Sequence, residues 1–392
     1  MTRRRWSWVL LLVWSDCAAA ASSTCPPEWV STPPMPNPRQ MMAAAAAGGK
    51  LYVIGGISST SLIASTDIFD PATSTWASGA PIPTPRSLAA AVECAGRVYV
   101  AGGQGSTFYC STLESYDPST DTWTTLAPMH SARSWFVLAC VSGELLAIGG
   151  VGSGPAYDEA YDPSLSQWRE LGPIRVGSVT AYGVVNGRVY ILDPPNVMVY
   201  DPATEAWTTK GPTPYLHSSF PGCAVAGNRI YELGGYGPTG YSGAVLAYLP
   251  EFDQWVNCTP LGVPRESPIG VTIGNRVYAI GGLAGMFGAP VDTVESAVMP
   301  TPVAPPACQV APNNVARHSW TRIYLRGQPG EKVELRVYDA AGEFEERTLV
   351  ILDSAGYANI PYYAGDALGS GPHWLIARGS SIHERCPFMV KR

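Results

Sequence analysis

Charged residues are scarce in this sequence, and histidine is rarer still. Asp, Glu, Lys and Arg make up 14% of the 392 residues, the formal net charge is −6, and five histidines are present. A weakly acidic chain of this kind lacks the basic surface by which proteins bind nucleic acid or an anionic membrane. We therefore expect neither as a partner.

Long apolar runs are also missing, apart from one at the amino terminus. A basic start at residues 2–5 is followed by an apolar stretch at 6–14 and by small residues at 18–21. Together these are typical of a secretory signal peptide over residues 1–21. No later run is long enough to span a bilayer. The sequence predicts an exported protein without a transmembrane segment, either secreted, periplasmic or at the cell surface.

Motifs that would indicate a metal or a reactive thiol are absent. None of the nine cysteines forms a CxxC pair, and no nucleophile elbow, phosphate loop or HExxH motif occurs. We expect no cofactor. Removal of Cys17 with the signal peptide leaves an even number of cysteines, which favours disulfides in an exported chain. Lipidation of Cys17 is the alternative, although Trp14-Ser15-Asp16 matches a lipobox poorly.

A repeated unit fills most of the chain. A short apolar run ends in Gly-Gly at residues 56, 103, 150, 235 and 282, and a degraded copy ends at Asp193. After the copies come an aromatic residue, Asp and Pro, and then Trp, as in Tyr116-Asp117-Pro118 with Trp123. A period of roughly 40 to 50 residues with short strands indicates propeller blades of four strands.

The apolar run, the double glycine, the aromatic-Asp-Pro triplet and the spaced Trp resemble kelch repeats. The resemblance covers about Glu28 to Met299. It implies an all-β fold with a six-bladed kelch-type β-propeller over residues 22–299. Kelch folds host binding proteins and several unrelated enzymes, so the resemblance implies architecture and leaves the activity open.

Trp29 precedes the first double glycine and has no blade of its own. Arg39 follows Trp29 by 10 positions in the sequence. The same spacing separates Trp76 from Arg86, Trp123 from Arg133 and Trp255 from Arg265. The sixth copy lacks its Trp, since the aligned position falls on Pro302. We therefore predict that the segment near Trp29 supplies the outer strand of the sixth blade and closes the ring.

The carboxy-terminal part differs in pattern. Residues 300–314 are rich in proline and are predicted to be a linker. Residues 315–392 contain short alternating strands with Gly-containing turns, which resemble a small immunoglobulin-like β-sandwich. Cys308 opens this region and Cys386 enters its last strand, so we predict that they form a disulfide. The pairing of the other six stays open.

Four arginines share one repeat position at the entry to the innermost strand: Arg39, Arg86, Arg133 and Arg265. In kelch proteins that bind acidic peptides, arginines at the matching position line the ligand pocket, so the resemblance implies an anion site. An alternative is pairing with the acids two residues before the third-strand aromatic: Asp67, Glu114, Glu159 and Glu295. Repeats four and five have lost both the arginine and the acid, which favours internal ion pairs.

The shortened loop of repeat four, Asp193 to Asn196, predicts a notch. Aromatic and polar-tipped side chains lie beside it in sequence, namely Tyr215, His217, Phe220, Tyr236 and Tyr241. Such side chains suit stacking on sugar rings or gripping a peptide. The alternative is that several of them simply pack against the blades.

Two enzyme families share the propeller. Galactose oxidase joins a kelch propeller to a similar sandwich and holds copper with two Tyr and two His, for which His130, His217, His373 and Tyr109-Cys110 are the candidates here. The sialate mutarotases have a six-bladed kelch ring and need a Glu and an Arg, for which Glu232, Glu266 and Arg265 are candidates. The ligand motifs of neither family are reproduced.

These observations predict a monomeric, exported, non-catalytic binding module. Its ligand would be a glycan or an extracellular protein, bound on the face that carries the loops between second and third strands. A carbohydrate-active kelch enzyme, mutarotase-like or galactose-oxidase-like, is the alternative.

Overall fold

The computed structural model describes most of the chain after the amino-terminal segment. The described residues are 25–26, 28–106, 108–154, 157–193, 196–213, 220–285, 288–300, 308–311, 314–316, 319–326, 328, 330–338, 344–352, 357–364, 371–378, 380 and 383–391. The chain divides into two compact units, Met1–Pro302 and Val303–Arg392. Every regular element in these ranges is a β-strand, and no helix that could cross a membrane occurs among them.

The first unit begins with a short strand, β1 (Val30–Thr32), and continues with four-stranded antiparallel sheets. The first sheet comprises β2 (Ala43–Ala47), β3 (Lys50–Ile54), β4 (Thr66–Asp70) and β5 (Thr75–Gly79). The second begins with β6 (Ala90–Cys94) and β7 (Arg97–Ala101), has the small hairpin β8 (Gln104–Gly105) and β9 (Phe108–Tyr109) in its loop, and ends with β10 (Leu113–Asp117) and β11 (Thr122–Leu126). Strands follow one another in space as they do in sequence.

The third and fourth sheets repeat this plan. A short strand β12 (Ala132–Ser134) precedes β13 (Val137–Val141) and β14 (Glu144–Ile148), pairs with β15 (Val151–Ser153), and is followed by β16 (Tyr157–Asp162) and β17 (Gln167–Pro173). The fourth sheet comprises β18 (Tyr182–Val185), β19 (Arg188–Asp193), β20 (Asn196–Asp201) and β21 (Ala206–Pro212). Asp193 pairs directly with Asn196, so two residues separate β19 from β20.

The fifth and sixth sheets complete the unit. The fifth comprises β22 (Gly222–Ala226), β23 (Arg229–Leu233), β26 (Val245–Leu249) and β27 (Gln254–Cys258), with the hairpin β24 (Tyr236–Gly237) and β25 (Gly240–Tyr241) in its loop. The sixth comprises β28 (Ile269–Ile273), β29 (Arg276–Ile280) and β32 (Val294–Val298), with β30 (Leu283–Ala284) and β31 (Ala289–Pro290) in its loop. Its fourth strand is β1, which lies antiparallel to β32 from the other end of the unit.

The first strands of successive sheets lie side by side around a common axis. β2 contacts β6, β6 contacts β13, and the series continues through β18, β22 and β28, which contacts β2 again. Small side chains suit such crowded positions, which explains the five consecutive alanines of β2. Apolar side chains between neighbouring sheets form the core of the unit.

Trp29 takes the place that the sequence spacing predicts. Its indole Nε1 donates a hydrogen bond to the carbonyl of Thr259, 3.0 Å away, in the segment that leads into the sixth sheet. Trp76 and Trp123 make the equivalent bond to Pro33 and Ala80. A disulfide between Cys25 and Cys258 fixes the start of this segment to the fifth sheet.

The second unit consists of two sheets. One contains β33 (Cys308–Ala311), β35 (Ser319–Arg326) and β38 (Tyr357–Ala364), and the other contains β34 (Asn314–Ala316), β36 (Lys332–Tyr338), β37 (Phe344–Ile351), β39 (Gly371–Arg378) and β40 (His383–Lys391). Side chains from both sheets, including Ile323, Leu335 and Leu375, share one hydrophobic core. The unit is therefore a β-sandwich.

The linker prediction needs a correction, because β33 lies inside residues 300–314. Its four residues contain no proline, and the prolines of the segment lie on either side of them. The backbone of Cys308 lies on β33 and that of Cys386 on β40, two strands in contact with each other. The two side chains lie outside the described part of the structure, so their disulfide stays a prediction.

Candidate functional site

One end of the first unit is formed by two sets of loops, which we call the loop face. The first set leads into the innermost strand of each sheet, and the second set joins the second strand to the third. Bridges join the two sets within a repeat, as between Gln40 and Ile57 or between Ser87 and Gln104. Both sets therefore lie at the same end of the sheets.

The double glycines hold neighbouring repeats together on this face. Gly103 donates its backbone N–H to the carbonyl of Arg133 at 2.8 Å, and Gly282 donates likewise to Arg39 at 3.2 Å, from the last repeat back to the first. A Cβ at Gly102 would lie 2.5 Å from the Arg133 carbonyl oxygen, and its φ is +58°. Glycine is required here because the next repeat's backbone occupies the space that a side chain would need.

The four predicted arginines are buried in ion pairs. The pairs are Arg39 with Asp67, Arg86 with Glu114, Arg133 with Glu159 and Arg265 with Glu295. No member is more than 4% exposed. The ion-pair alternative is thus confirmed in all four repeats. Burial lowers the pKa of Arg39, Arg133 and Arg265, and the facing carboxylate opposes that shift.

Each guanidinium also donates to a backbone carbonyl of its own sheet. Arg86 donates to Val100, 3.0 Å away, and Arg265 to Ala279 at the same distance. The arginines therefore tie the entry segment of a sheet to its second and third strands. This placement removes the reason to treat them as anion ligands, because the positive charge is already neutralised inside the protein.

The third repeat carries an additional acid, Asp158, which is 4% exposed. Its Oδ1 accepts a hydrogen bond from the N–H of Gly149 at 2.7 Å. In four other repeats a backbone carbonyl accepts the hydrogen bond from the first glycine of the pair, as the Thr112 carbonyl does from the Gly102 N–H at 3.0 Å. Burial raises the pKa of Asp158 to about 6, while the Gly149 hydrogen bond and the charges of Arg133 and Arg175 oppose this shift.

The notch residues that the structure describes lie at two different places. Tyr215 and His217 lie outside the described residues. Tyr236 and Tyr241 face each other across the β24–β25 hairpin, with ring centroids 5.3 Å apart at 83°. Tyr236 is 47% exposed. Phe220 lies apart from them, at the entry to the innermost strand of the fifth sheet.

A central cavity opens beside Phe220. Its volume is 440 Å³, and it is lined by the first strands of five of the six sheets, including Ala45, Ala90 and Ala224. At its mouth the rings of Trp135 and Phe220 pack with centroids 5.0 Å apart at 45°. Both side chains are half-buried. They come from the third and fifth repeats and meet above the fourth, where the corresponding residue is the smaller Val179.

Sequence reasoning missed two aromatic residues of this face. Trp135 follows Arg133 by two positions, as Met41 follows Arg39 and Leu88 follows Arg86, so an alignment of that position would have found it. Phe108 is 64% exposed at the tip of the β8–β9 hairpin, where its ring packs against Tyr109. Nothing in the repeat pattern marks Phe108, because loop lengths differ between repeats.

Free charge is sparse on the loop face. Among its described residues, the acidic and basic side chains outside the four buried ion pairs are Asp158, Arg175, Glu266 and Asp292. The turns at the opposite end carry Lys50, Asp70, Glu93, Arg97, Asp117, Asp121, Glu144, Asp162, Arg188, Asp201, Glu205, Arg229, Glu251, Asp253 and Arg276. The two ends of the sheets therefore differ sharply in charge.

Most of the residues considered for catalysis are buried or ion-paired. Glu232 is buried on β23, Arg265 is paired with Glu295, and Glu266 is a partly exposed neighbour whose pKa is raised by burial. His130 faces Glu159, with 3.0 Å between Nδ1 and Oε2, and His373 belongs to the second unit. No cluster of three metal-ligating side chains occurs within the described ranges.

These features define a class of protein: repeated four-stranded sheets joined at one end by double glycines and buried Arg–carboxylate pairs. The KLHDC2/KLHL20/DRC7 Kelch-repeats domain model matches residues 17–171, and the Kelch motif model matches residues 217–262. The chain is therefore a kelch-repeat protein.

The relatives match about a third of this chain. Kelch-like protein 26 of Danio rerio is 29% identical over 131 residues, which are 31% of this chain and 22% of that protein. Beta-scruin of Limulus polyphemus is 26% identical over 147 residues, 32% of this chain and 16% of that protein. The matches thus span about a fifth of these relatives' length. A solved structure titled "Structure of YjhT" superposes with a TM-score of 0.58 at 17% identity, over 67% of this chain and 96% of that one, which supports the fold.

Proposed function

We propose that this chain is an exported, non-catalytic binding module that recognises a protein or glycan on its loop face. In this proposal the first unit is a six-bladed kelch-type β-propeller closed by β1, and the sandwich is an immunoglobulin-like domain. The pairing of β1 with β32 and the contact of β28 with β2 support closure. The Cys25–Cys258 and Cys94–Cys140 disulfides suit an oxidising compartment.

The observation that carries the proposal is the composition of the loop face. It exposes Phe108 and Tyr236 and has little free charge, whereas the opposite end is densely charged. Aromatic side chains with few charges around them are typical of the centre of a binding surface. The same composition serves protein ligands and sugar rings, so the proposal includes both.

The test uses the disulfide-intact full chain on a glycan array and, in parallel, on immobilised extracellular proteins. We expect Tyr236→Ala combined with Tyr241→Ala to weaken whatever binding is found by about tenfold or more. Arg169→Ala combined with Arg188→Ala changes two exposed arginines away from the loop face and is the matched control. Binding that survives the tyrosine changes but disappears with the arginine changes would place the ligand elsewhere. Turnover of a sugar by the wild-type chain would favour the enzyme alternative.

A further inference from the structure

The residue two positions after the repeated arginine, or after Ser218 at the aligned position of the fifth repeat, has an unusual backbone conformation. Its φ is 52° at Met41, 54° at Leu88, 55° at Trp135, 55° at Phe220 and 52° at Ser267. We call these five residues the mouth ring, since they surround the opening of the central cavity. The Leu88 N–H donates to the Met41 carbonyl at 2.8 Å, the Ser267 N–H to the Phe220 carbonyl at 2.9 Å, and the Val179 N–H to the Trp135 carbonyl at 2.7 Å. The fold itself therefore imposes the conformation.

Glycine is the residue that adopts this conformation without steric strain. A bulky side chain with positive φ is an outlier, and such outliers concentrate at ligand-binding sites. Four of the five positions nevertheless carry a large apolar residue, and none carries glycine. These side chains do not compensate fully by packing, because Met41, Leu88, Trp135 and Phe220 are only half-buried.

The mouth ring offers apolar contacts and few polar ones. Among its side chains the Ser267 hydroxyl and the Trp135 indole N–H are the groups suited to hydrogen bonding, while sugar hydroxyls need several placed polar partners. The nearby arginines cannot bind an acid, since Asp67, Glu114, Glu159 and Glu295 already neutralise them. A complementary ligand therefore presents an uncharged apolar group. The 440 Å³ of the cavity is ample for one large side chain.

We propose that the mouth ring is a receptor for one uncharged apolar side chain of a protein partner, which inserts beside Trp135 and Phe220 above the fourth sheet. The inference rests on the proposed binding function and narrows it to a protein ligand with an apolar anchor. Aromatic anchors in a desolvated centre carry much of the affinity of protein interfaces. The nearly uncharged loop face around the ring matches a partner surface that is itself uncharged.

The probe is a displayed library of random twelve-residue peptides, selected on the disulfide-intact full chain. We expect enrichment of Leu, Ile, Met, Phe or Trp at one peptide position, and replacing that anchor by Ala should weaken the Kd about tenfold or more. Trp135→Gly and Phe220→Gly should each weaken the Kd by a similar factor. Because glycine relieves the positive φ, each glycine variant should be more stable to heat than the alanine variant at the same position. Ser142→Gly, which also replaces a residue of positive φ (53°) but lies in the turn between β13 and β14 at the opposite end of the sheets, should change the Kd less than about twofold.

Cross-linking provides a measurement that does not depend on the variants folding. A benzophenone group at the anchor position of a selected peptide should attach to residues of the mouth ring, mapped by mass spectrometry. Enrichment of acidic anchors, cross-links elsewhere, or an unchanged Kd in both glycine variants would overturn the inference. Peptides or glycans that bind the loop face away from the ring would also overturn it, yet leave the proposed function standing. Failure of every ligand to bind the loop face would contradict both.

Discussion

At the scale of single residues, Arg86 and Glu114 stabilise each other only while both are present. Each is at most 1% exposed, and Thr84 donates a further hydrogen bond to the carboxylate at 3.0 Å. Removing one partner of such a pair leaves an uncompensated buried charge, whereas removing both can be nearly neutral. The pair therefore holds the entry segment in position. It need not make the fold more stable than an apolar pair of similar volume would.

We predict that Arg86→Met lowers the free energy of unfolding by roughly 3 to 5 kcal/mol. The double variant Arg86→Met, Glu114→Leu should recover at least half of that loss, as measured by chemical denaturation. The exposed pair Arg97 and Asp117 supplies the control, since Arg97→Met should lower stability by less than about 1 kcal/mol. A double variant no more stable than the single one would show that the hydrogen bonds to carbonyls, not the charge, dominate.

Asp158 makes stability depend on pH in the opposite sense to most acids. Its pKa is raised to about 6 by burial, so the folded chain binds this proton more tightly than the unfolded chain does. The stabilisation is complete below the ordinary pKa of about 4 and is lost as pH rises through 6. We predict that, as the pH rises from 4 to 8, the free energy of unfolding of Asp158→Asn increases relative to that of the wild type by roughly 1 to 3 kcal/mol. Denaturant titration at a series of pH values measures this difference.

Asp162 provides a control, because its pKa is shifted in the opposite direction to that of Asp158. The hydroxyl of Ser164 lowers the pKa of Asp162, so its stabilisation is present above about pH 4 and lost on acidification. Asp162→Asn should therefore lose stability relative to the wild type as pH rises. Equal slopes for the wild type and Asp158→Asn would contradict the assignment of the titration to this buried acid.

At the scale of elements, β1 is the strand whose loss should destabilise the residues most distant from it in sequence. It joins residues 30–32 to residues 294–296, and Trp29 reaches Thr259 in the segment before the sixth sheet. The Asp-Pro turns, by contrast, act locally. Asp117 accepts a hydrogen bond from the Ser119 N–H at 2.9 Å, which shapes the turn between third and fourth strands.

We predict that Trp29→Ala lowers the free energy of unfolding by about 2 kcal/mol, because a half-buried indole and its hydrogen bond are lost. Hydrogen exchange should become faster in β32 and β2, on both sides of the closure. Trp207→Ala is the control, since this Trp packs on Tyr200 in the fourth sheet and should affect exchange there. Unchanged protection of β32 in Trp29→Ala would contradict a closing role.

At the scale of the whole molecule, the first unit separates its chemistry by end. Gly-Gly backbones, buried arginines and half-exposed aromatics collect at the loop face, and most of the other charged side chains lie at the turns of the opposite end. The separation follows from the antiparallel order of the strands, which returns equivalent loops to the same end in every repeat. A ligand therefore meets two chemically different surfaces, of which the loop face is the one suited to apolar contact.

The sequence by itself determined the repeats, the strands and the place of Trp29, because each depends on a local pattern that recurs at a fixed spacing. It also predicted the ion pairs, since arginine and acid are lost together in repeats four and five. The sequence assigned Tyr236 and Tyr241 to one loop, and in the structure they pair across the β24–β25 hairpin, while their role in binding stays a prediction.

Only the tertiary structure decided which cysteines meet and which aromatics share a site. Cys94 bonds to Cys140 because the first strands of the second and third sheets are neighbours, and Cys25 bonds to Cys258 across 233 positions. Trp135 meets Phe220 across an intervening repeat because the smaller Val179 leaves room between them. Such contacts depend on how sheets surround an axis, and no local spacing encodes that distance. The start of the sandwich was misjudged for a related reason, since proline content marks where strands stop but not where the next one pairs.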